Sequence, residues 1–356
     1  MFITIQSDPL CVQHETGEHP ESPERWAQVD RALRALAAEV PGRLQFETPE
    51  PASDAVLELV HPASHLARLA SFCAAGGGRI DEDTVATPLS EVVARRSAGA
   101  AIAAVQAALR GPERRHVALC RPPGHHALPE ATMGFCFYNN AALAARWAQR
   151  HGGLQRVAIL DWDLHHGNGT EAIFWEDPTV LYMSTHQDPN WPGTGASSDV
   201  GEGPGRGFTA NLPLPIGTGD DGYRKAFAAV FRPLMAHFRP ELLIVSAGYD
   251  AHWRDPLGRM GLTVSGFAEL TREVLQWADG SAAGRCVFLM EGGYDLMALR
   301  ESMGASVAVL LEAPVHDRLG ASPYPEPALA VELAIRRTQE ALRPYWPGLF
   351  SGEASQ

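Results

Sequence analysis

Apolar residues along this chain fall into short solid runs set between longer stretches with helical spacing. Runs over 117–120, 157–160, 180–184, 242–246 and 286–290 are rich in branched side chains. Their length and lack of alternation predict strands buried on both faces of a parallel sheet. Residues 2–5 predict another strand. Over 23–40, Trp26, Val29, Leu33 and Leu36 recur on one helical face, with Ser22 placed as a cap and Pro23 in the first turn. Helices are also predicted over 55–75 (broken at His61 and Pro62), 90–109, 140–149, 170–175, 222–237 and 328–342. Three glycines at 76–78 form a flexible break, and the polar stretch 79–88 reads as a loop. Strand, loop and helix alternate from 117 to 311 without an internal repeat. This predicts an α/β fold, a single doubly wound domain over 1–345 whose central parallel sheet is flanked by helices. Residues 346–356 read as a flexible tail.

Composition adds bounds. A hydrophobic content of 45% is ample for one large core. The lack of an apolar run of about 18 residues argues against a membrane span. The opening MFITIQSDPL lacks the features of a signal peptide, so a cytoplasmic location is expected. Five cysteines without framework spacing predict reduced thiols, Cys11 being the one candidate for exposure. A formal charge of −13 disfavours nucleic acid as a specific partner and permits attraction to cationic substrates.

The candidate chemistry gathers where the solid runs end. In VAILDWDLHHGNGT, Asp161, Asp163 and His165 follow the strand at alternate positions, so an extended backbone points all three the same way. The irregular stretch RPPGHHALPEATMGFCFYNN follows the run at 117–120 and carries His125 and His126; a long loop of this kind inside a compact domain is usually functional. Asp250 repeats the pattern of a carboxylate just past an apolar strand, and Tyr294 follows two glycines after the last strand. In open α/β sheets, sites form outside the carboxyl ends of strands. Two carboxylates and one imidazole can hold a catalytic metal with a position left open. The adjacent histidines remain for proton transfer, Asp161 and Asn168 can fix their tautomers, and Tyr294 can donate to a polarised carbonyl oxygen. This is a hydrolase constellation.

RPPGHHA, GFCFYNN, DWDLHHGNGT, SAGYDAHWRDPLG and EGGYDL occur in that order, after HPESPERW near the start. In these segments, from about residue 14 to 311, the chain resembles the zinc-dependent histone deacetylase family of the arginase/deacetylase superfamily. The resemblance implies Asp163, His165 and Asp250 as metal ligands, His126 as general base with His125 as its partner, Asp161 and Asn168 as their orienting groups, and Tyr294 as the transition-state tyrosine. It places Gly134 and Phe135 on one wall of an acyl-lysine tunnel and Trp191 opposite, where the family has phenylalanine. Asp83 corresponds to a rim aspartate, Leu257 to the gate, and Arg25 to an arginine of an internal acetate channel. Structural potassium is implied near Asp161, Asp163, His165 and Ser184, and near Phe174 and Phe208. Asn168 is the class II choice at its position. Leu257 stands where polyamine-selective members carry an acid, which favours acyl-lysine in peptides or proteins over small acetylated amines.

The implied activity is hydrolysis of an acetyl or other acyl group from a lysine side chain. The ligand set suits Zn²⁺ and, being oxygen-rich, also Fe²⁺ or Co²⁺. The competing readings are an acetylpolyamine amidohydrolase and a silent acyl-lysine binding module; the latter would be marked by loss of Tyr294 or of a ligand, and both are kept. An arginase-like binuclear hydrolase would need further bridging carboxylates, which the HHGNG context does not offer. Oligomeric state is left open.

Overall fold

The computed structural model describes residues 2–350. Ten strands follow in chain order: β1 (Ile3–Gln6), β2 (Leu44–Glu47), β3 (Gly78–Arg79), β4 (Val85–Ala86), β5 (Arg115–Ala118), β6 (Val157–Asp161), β7 (Val180–Asp188), β8 (Thr209–Pro215), β9 (Leu242–Ala247) and β10 (Cys286–Met290). Eight of them form one sheet in the order β2-β1-β5-β10-β9-β6-β7-β8, and every pairing in it is parallel. The strands β6, β9 and β10 are buried at every position. Successive side chains go to opposite faces, so Val157 and Ile159 join one core while Ala158 and Leu160 join the other. Helices on both sides cover these two cores, which is why the strands carry solid apolar runs and no polar alternation.

On one face lie the helices Ser90–Arg110 and Asn140–Gly152. The first is long and apolar enough to cross a membrane by length and composition alone, yet 61% of the relevant window is buried within the protein. Its small side chains permit close approach: a Cβ on Gly99 would lie 2.0 Å from the Glu50 carbonyl oxygen. On the other face, Pro23–Glu39 buries Trp26, Val29 and Leu33 against Leu296–Leu310, beside Val264–Ser281 and Ala328–Leu342. Ser22 holds the capping position of the first of these helices, but its side chain makes no capping bond.

Several expectations need correction. β2 and β8 were not foreseen, because LQFE is short and half exposed while TANLPLP contains two prolines. Both are edge strands, where proline is tolerated and a buried run is unnecessary. The strand expected over 117–120 begins two residues earlier, at Arg115. The stretch read as a loop over 79–88 contains the small antiparallel pair β3 and β4. Cys11 is buried, as are the other four cysteines, and all five are unpaired. Desolvation pushes the Cys11 thiol up to about 12, so it is not a reactive group. The tail expected from 346 onward does not begin there: Trp346 and Phe350 are buried in the core, and Trp346 Nε1 donates to the Gly207 carbonyl at 2.8 Å. The rest of that expected tail, 351–356, lies outside the described residues.

Candidate functional site

The loops leaving β5, β10, β9 and β6 come from four neighbouring positions in the sheet. They carry His125 and His126, Glu291 to Tyr294, Asp250 to Leu257, and Asp161 to Asn168 respectively. This juxtaposition at the strands' carboxyl ends gathers residues that lie far apart in the chain.

One ligand atom from each of Asp163, His165 and Asp250 lies within 4.8 Å of the others. His165 Nδ1 is 3.0 Å from Asp250 Oδ2 and 3.3 Å from Asp163 Oδ1. Backbone closes in behind both carboxylates: Gly292 N–H donates to Asp163 Oδ2 at 2.7 Å, and Leu164 N–H donates to Asp250 Oδ1 at 2.8 Å. A Cβ at Gly292 would stand 2.4 Å from Asp250 Oδ2 and 2.6 Å from Asp163 Oδ2, so glycine is required there by space. Burial raises the Asp250 carboxyl to about 6, with the Asp163 charge adding to the shift. Burial also opposes charge on His165, but its bonds to Asp163 and Asp250 outweigh it and raise the imidazole to about 10. Two facing buried carboxylates with one imidazole form a site that demands positive charge, and a divalent cation fits that demand.

The two adjacent histidines have opposite electrostatics. His125 Nδ1 lies 3.0 Å from Asp161 Oδ2. Burial disfavours charge on this ring, yet the Asp163 and Asp161 carboxylates prevail and lift it to about 10. His126 Nδ1 lies 2.8 Å from Asn168 Oδ1. Burial holds His126 well below its ordinary range, and the neighbouring His125 and His165 reinforce the effect. Asn168 Nδ2 donates to the Met133 sulfur at 3.4 Å, which turns the amide oxygen toward His126. That assigns the proton to His126 Nδ1 and leaves Nε2 as the open base. Gly167 passes so close to Asp161 that a Cβ would lie 2.2 Å from Oδ2.

Of the expected tunnel residues, Gly134, Phe135 and Trp191 border this centre. Gly134 and Phe135 both have positive φ, 55° and 68°. At Gly134 a Cβ would meet the His126 ring at 2.5 Å and the Trp191 ring at 2.6 Å, so side chain and backbone leave room there for glycine alone. Trp191 stands edge-on to His126 at 4.7 Å between centroids, and 42% of it remains exposed. Phe135 lies 5.8 Å from the Tyr294 ring on the other side. The Phe135 amide donates to Thr84 Oγ1 at 3.1 Å, and the Thr84 hydroxyl faces Asp81 Oδ2 at 3.1 Å and Asp83 Oδ1 at 3.2 Å. Asp83 is half-buried beside Asp81, and burial with that neighbour raises its carboxyl. Leu257 is 37% exposed.

Arg25 is fully buried beneath Tyr294, its guanidinium 4.9 Å from the ring centroid. It donates to the Gly293 carbonyl at 2.7 Å, to the Glu291 carbonyl, and to Glu21 at 3.0 Å. Burial drives the Tyr294 phenol well above its ordinary value, and Arg25 only partly offsets this. The phenol therefore keeps its proton and acts as a donor. Of the groups expected near potassium, Asp161 and Ser184 are register partners on β6 and β7. The Ser184 hydroxyl bonds His186 Nδ1 at 2.9 Å. The Phe174 and Phe208 carbonyls accept from Asp177 and Tyr182 amides at 3.0 and 2.9 Å.

Sequence reasoning missed Glu21, Arg121, Asp255 and Glu291. Glu21 bridges Arg25 and Arg121, and all three are fully buried. Glu291 accepts Gly124 N–H at 2.6 Å and His125 N–H at 3.3 Å, which fixes the backbone of the histidine pair. His125, Cys136 and Glu291 also cluster within 4.8 Å, but these groups already serve Asp161, the Gly134 carbonyl and the two amides. The signal for Glu291 was present, since it is a carboxylate just past an apolar strand like Asp161 and Asp250.

A parallel α/β sheet with an acid-rich cation site, a polarised histidine pair and a protonated, partly buried phenol defines an amidohydrolase-type centre. The histone deacetylase domain matches residues 19–310, and the chain belongs to the histone deacetylase family. Among its relatives is the histone deacetylase-like amidohydrolase of Pseudomonas aeruginosa, 42% identical over 308 residues that cover 81% of this chain and 80% of the relative. The polyamine deacetylase HDAC10 of Mus musculus is 44% identical over 262 residues, which cover 72% of this chain and 38% of that protein. The crystal structure of the HDA15 HD domain superposes with a TM-score of 0.87 at 33% identity, covering 97% of each chain.

Proposed function

We propose that this protein is a metal-dependent deacetylase that hydrolyses the acyl amide of an acyl-lysine side chain, with Zn²⁺ as its cation. The observation that carries the reading is the meeting of Asp163, His165 and Asp250 with the Asn168-oriented His126 beside Tyr294. A divalent cation held by those three ligands supplies Lewis acidity toward the acyl carbonyl oxygen and the attacking water. His126 Nε2 takes a proton from that water; burial and the His125 charge beside it disfavour its own charged form. Tyr294 Oη donates to the oxygen that gains negative charge, an interaction stronger in the transition state than in the ground state. His125, charged and held by Asp161, stabilises that same developing charge. An imidazolium then passes its proton to the leaving amine. Phe135 and Trp191 flank the acyl-lysine stem and limit water access. Arg25 lies where the released acetate leaves, and potassium near Asp161 and Ser184 would stiffen the loop after β6.

A second reading, acetylpolyamine hydrolysis, draws support from the HDAC10 similarity and the charge of −13. The gate distinguishes the two. An acetylpolyamine carries positive charge beyond its amide, and a carboxylate at the mouth would attract it; Leu257 offers none. Asp83 at the rim suits a peptide backbone N–H instead. The test compares catalytic efficiency on acetyl-lysine peptides and acetylspermidine at low and high salt, which separates local from long-range attraction. The peptide is expected to win, and Leu257→Glu should move the ratio toward the polyamine. A preference for acetylspermidine at both salt concentrations overturns the lysine assignment.

A further inference from the structure

Tyr294 is preceded by Gly292 and Gly293, the latter at φ 121°, so local chain stiffness does little to hold its phenol in place. The fixing comes from another loop. Asp255, 5% exposed, turns its carboxylate to this segment: Oδ2 accepts Tyr294 N–H at 2.7 Å and Asp295 N–H at 3.2 Å. The other oxygen, Oδ1, accepts Leu257 N–H at 3.0 Å. One buried carboxylate thus ties the segment bearing the phenol to the gate. Asp295 extends the arrangement by capping Leu296–Leu310, accepting Ala298 N–H at 2.8 Å and Met297 N–H at 3.1 Å. Phe135 and Arg25 touch the Tyr294 ring, and Arg25 Nε also donates to the Gly293 carbonyl at 2.7 Å, so Asp255 supplies the hold on the N–H side of that peptide unit.

We propose that Asp255 is the positioning residue for Tyr294, a buried carboxylate that holds the phenol where charge develops and sets the gate by the same contacts. The proposal rests on the reading of Tyr294 as the transition-state donor. Two amide bonds to Asp255, from Tyr294 and Asp295, replace the stiffness that the glycine pair gives up. A donor displaced by about 1 Å loses on the order of 10²-fold in rate, because its bond must match the oxyanion and not the ground-state carbonyl. The loss should therefore appear in kcat and leave KM nearly unchanged.

The test is a double-mutant cycle on the metal-loaded full chain, using Asp255→Asn, Asp255→Ala, Tyr294→Phe and the combination of Asp255→Asn with Tyr294→Phe. Asp255→Asn retains oxygen acceptors on one side only, and should lower kcat roughly 10-fold with KM within about twofold and metal content unchanged. Asp255→Ala should lower kcat further. With Tyr294→Phe as the background, Asp255→Asn should have less than about a twofold effect, because the group it positions is gone. Equal effects of Asp255→Asn in both backgrounds overturn the proposal, as does a loss confined to KM or a loss of bound metal. Should Asp255→Ala fail to fold, the Asn variant and its cycle still decide the matter. Unchanged turnover in Tyr294→Phe alone instead overturns the role given to Tyr294, and that outcome is distinct from additivity.

Discussion

Replacing Asn168 by Asp changes the charge beside the general base with almost no change in shape. In the wild type the neutral amide oxygen lies 2.8 Å from His126 Nδ1. A carboxylate there would attract the imidazolium: with the charge centres about 4 Å apart and an effective dielectric constant of about 20, the gain is about 4 kcal/mol. Part of this is lost because Asn168 is only partly buried, so a rise of roughly 2–3 pKa units is expected for His126. The base acts when neutral, so activity is present above its pKa and lost as pH falls through it. In the wild type that loss lies well below pH 6.5, since burial and the two neighbouring imidazoles depress the group. In Asn168→Asp the acid limb of kcat/KM should move up by about 2–3 pH units, with reduced activity near neutrality where the limb reaches it. The assay is kcat/KM on an acetyl-lysine peptide from pH 5 to 9 at constant ionic strength, with metal content checked at each point. Superimposable profiles, or a limb displaced downward, would refute the assignment of His126 as base and Asn168 as its partner.

Three further outcomes are expected. Asp250→Ala leaves only Asp163 and His165 in the cation site, so metal analysis should fall from about one divalent ion per chain to well below one. An active preparation of the parent protein without such an ion would contradict the site. Tyr294→Phe should lower kcat on the order of 10²-fold with little change in KM, since the phenol acts mainly in the transition state. The fold itself should weaken in acid: His61 accepts Asn139 N–H on Nε2 at 2.9 Å and lies 3.1 Å from the Pro129 carbonyl through Nδ1, and burial lowers it to about 4. Its contribution is complete above the unfolded value of 6.5 and is lost as pH falls toward 4, about 3 kcal/mol in all. Urea titrations from pH 7.5 to 4 should show a flatter acid slope in His61→Gln, and an unchanged slope would remove His61 from the account.

Much of the site was legible because its ligands obey local rules. Asp161, Asp163 and His165 alternate directly after a buried strand, and alternation in an extended chain is a property of the backbone itself. The central strands were legible for a related reason: burial on two faces leaves a solid apolar run in the sequence. What the sequence could not decide was how groups without a local period meet. Asp161 was expected beside the histidine pair and bonds His125, 36 residues away, but nothing local signalled that Asp163 receives the amide of Gly292, 129 residues away. Asp255 and Tyr294 meet across 39 residues only because β9 and β10 are neighbours. The edge strands β2 and β8, the burial of Cys11 and the docking of Trp346 depend likewise on what packs against them. Residue chemistry and strand periodicity are properties of the chain, whereas partner choice follows from the order in which parallel strands enter the sheet, and only the folded structure contains that order.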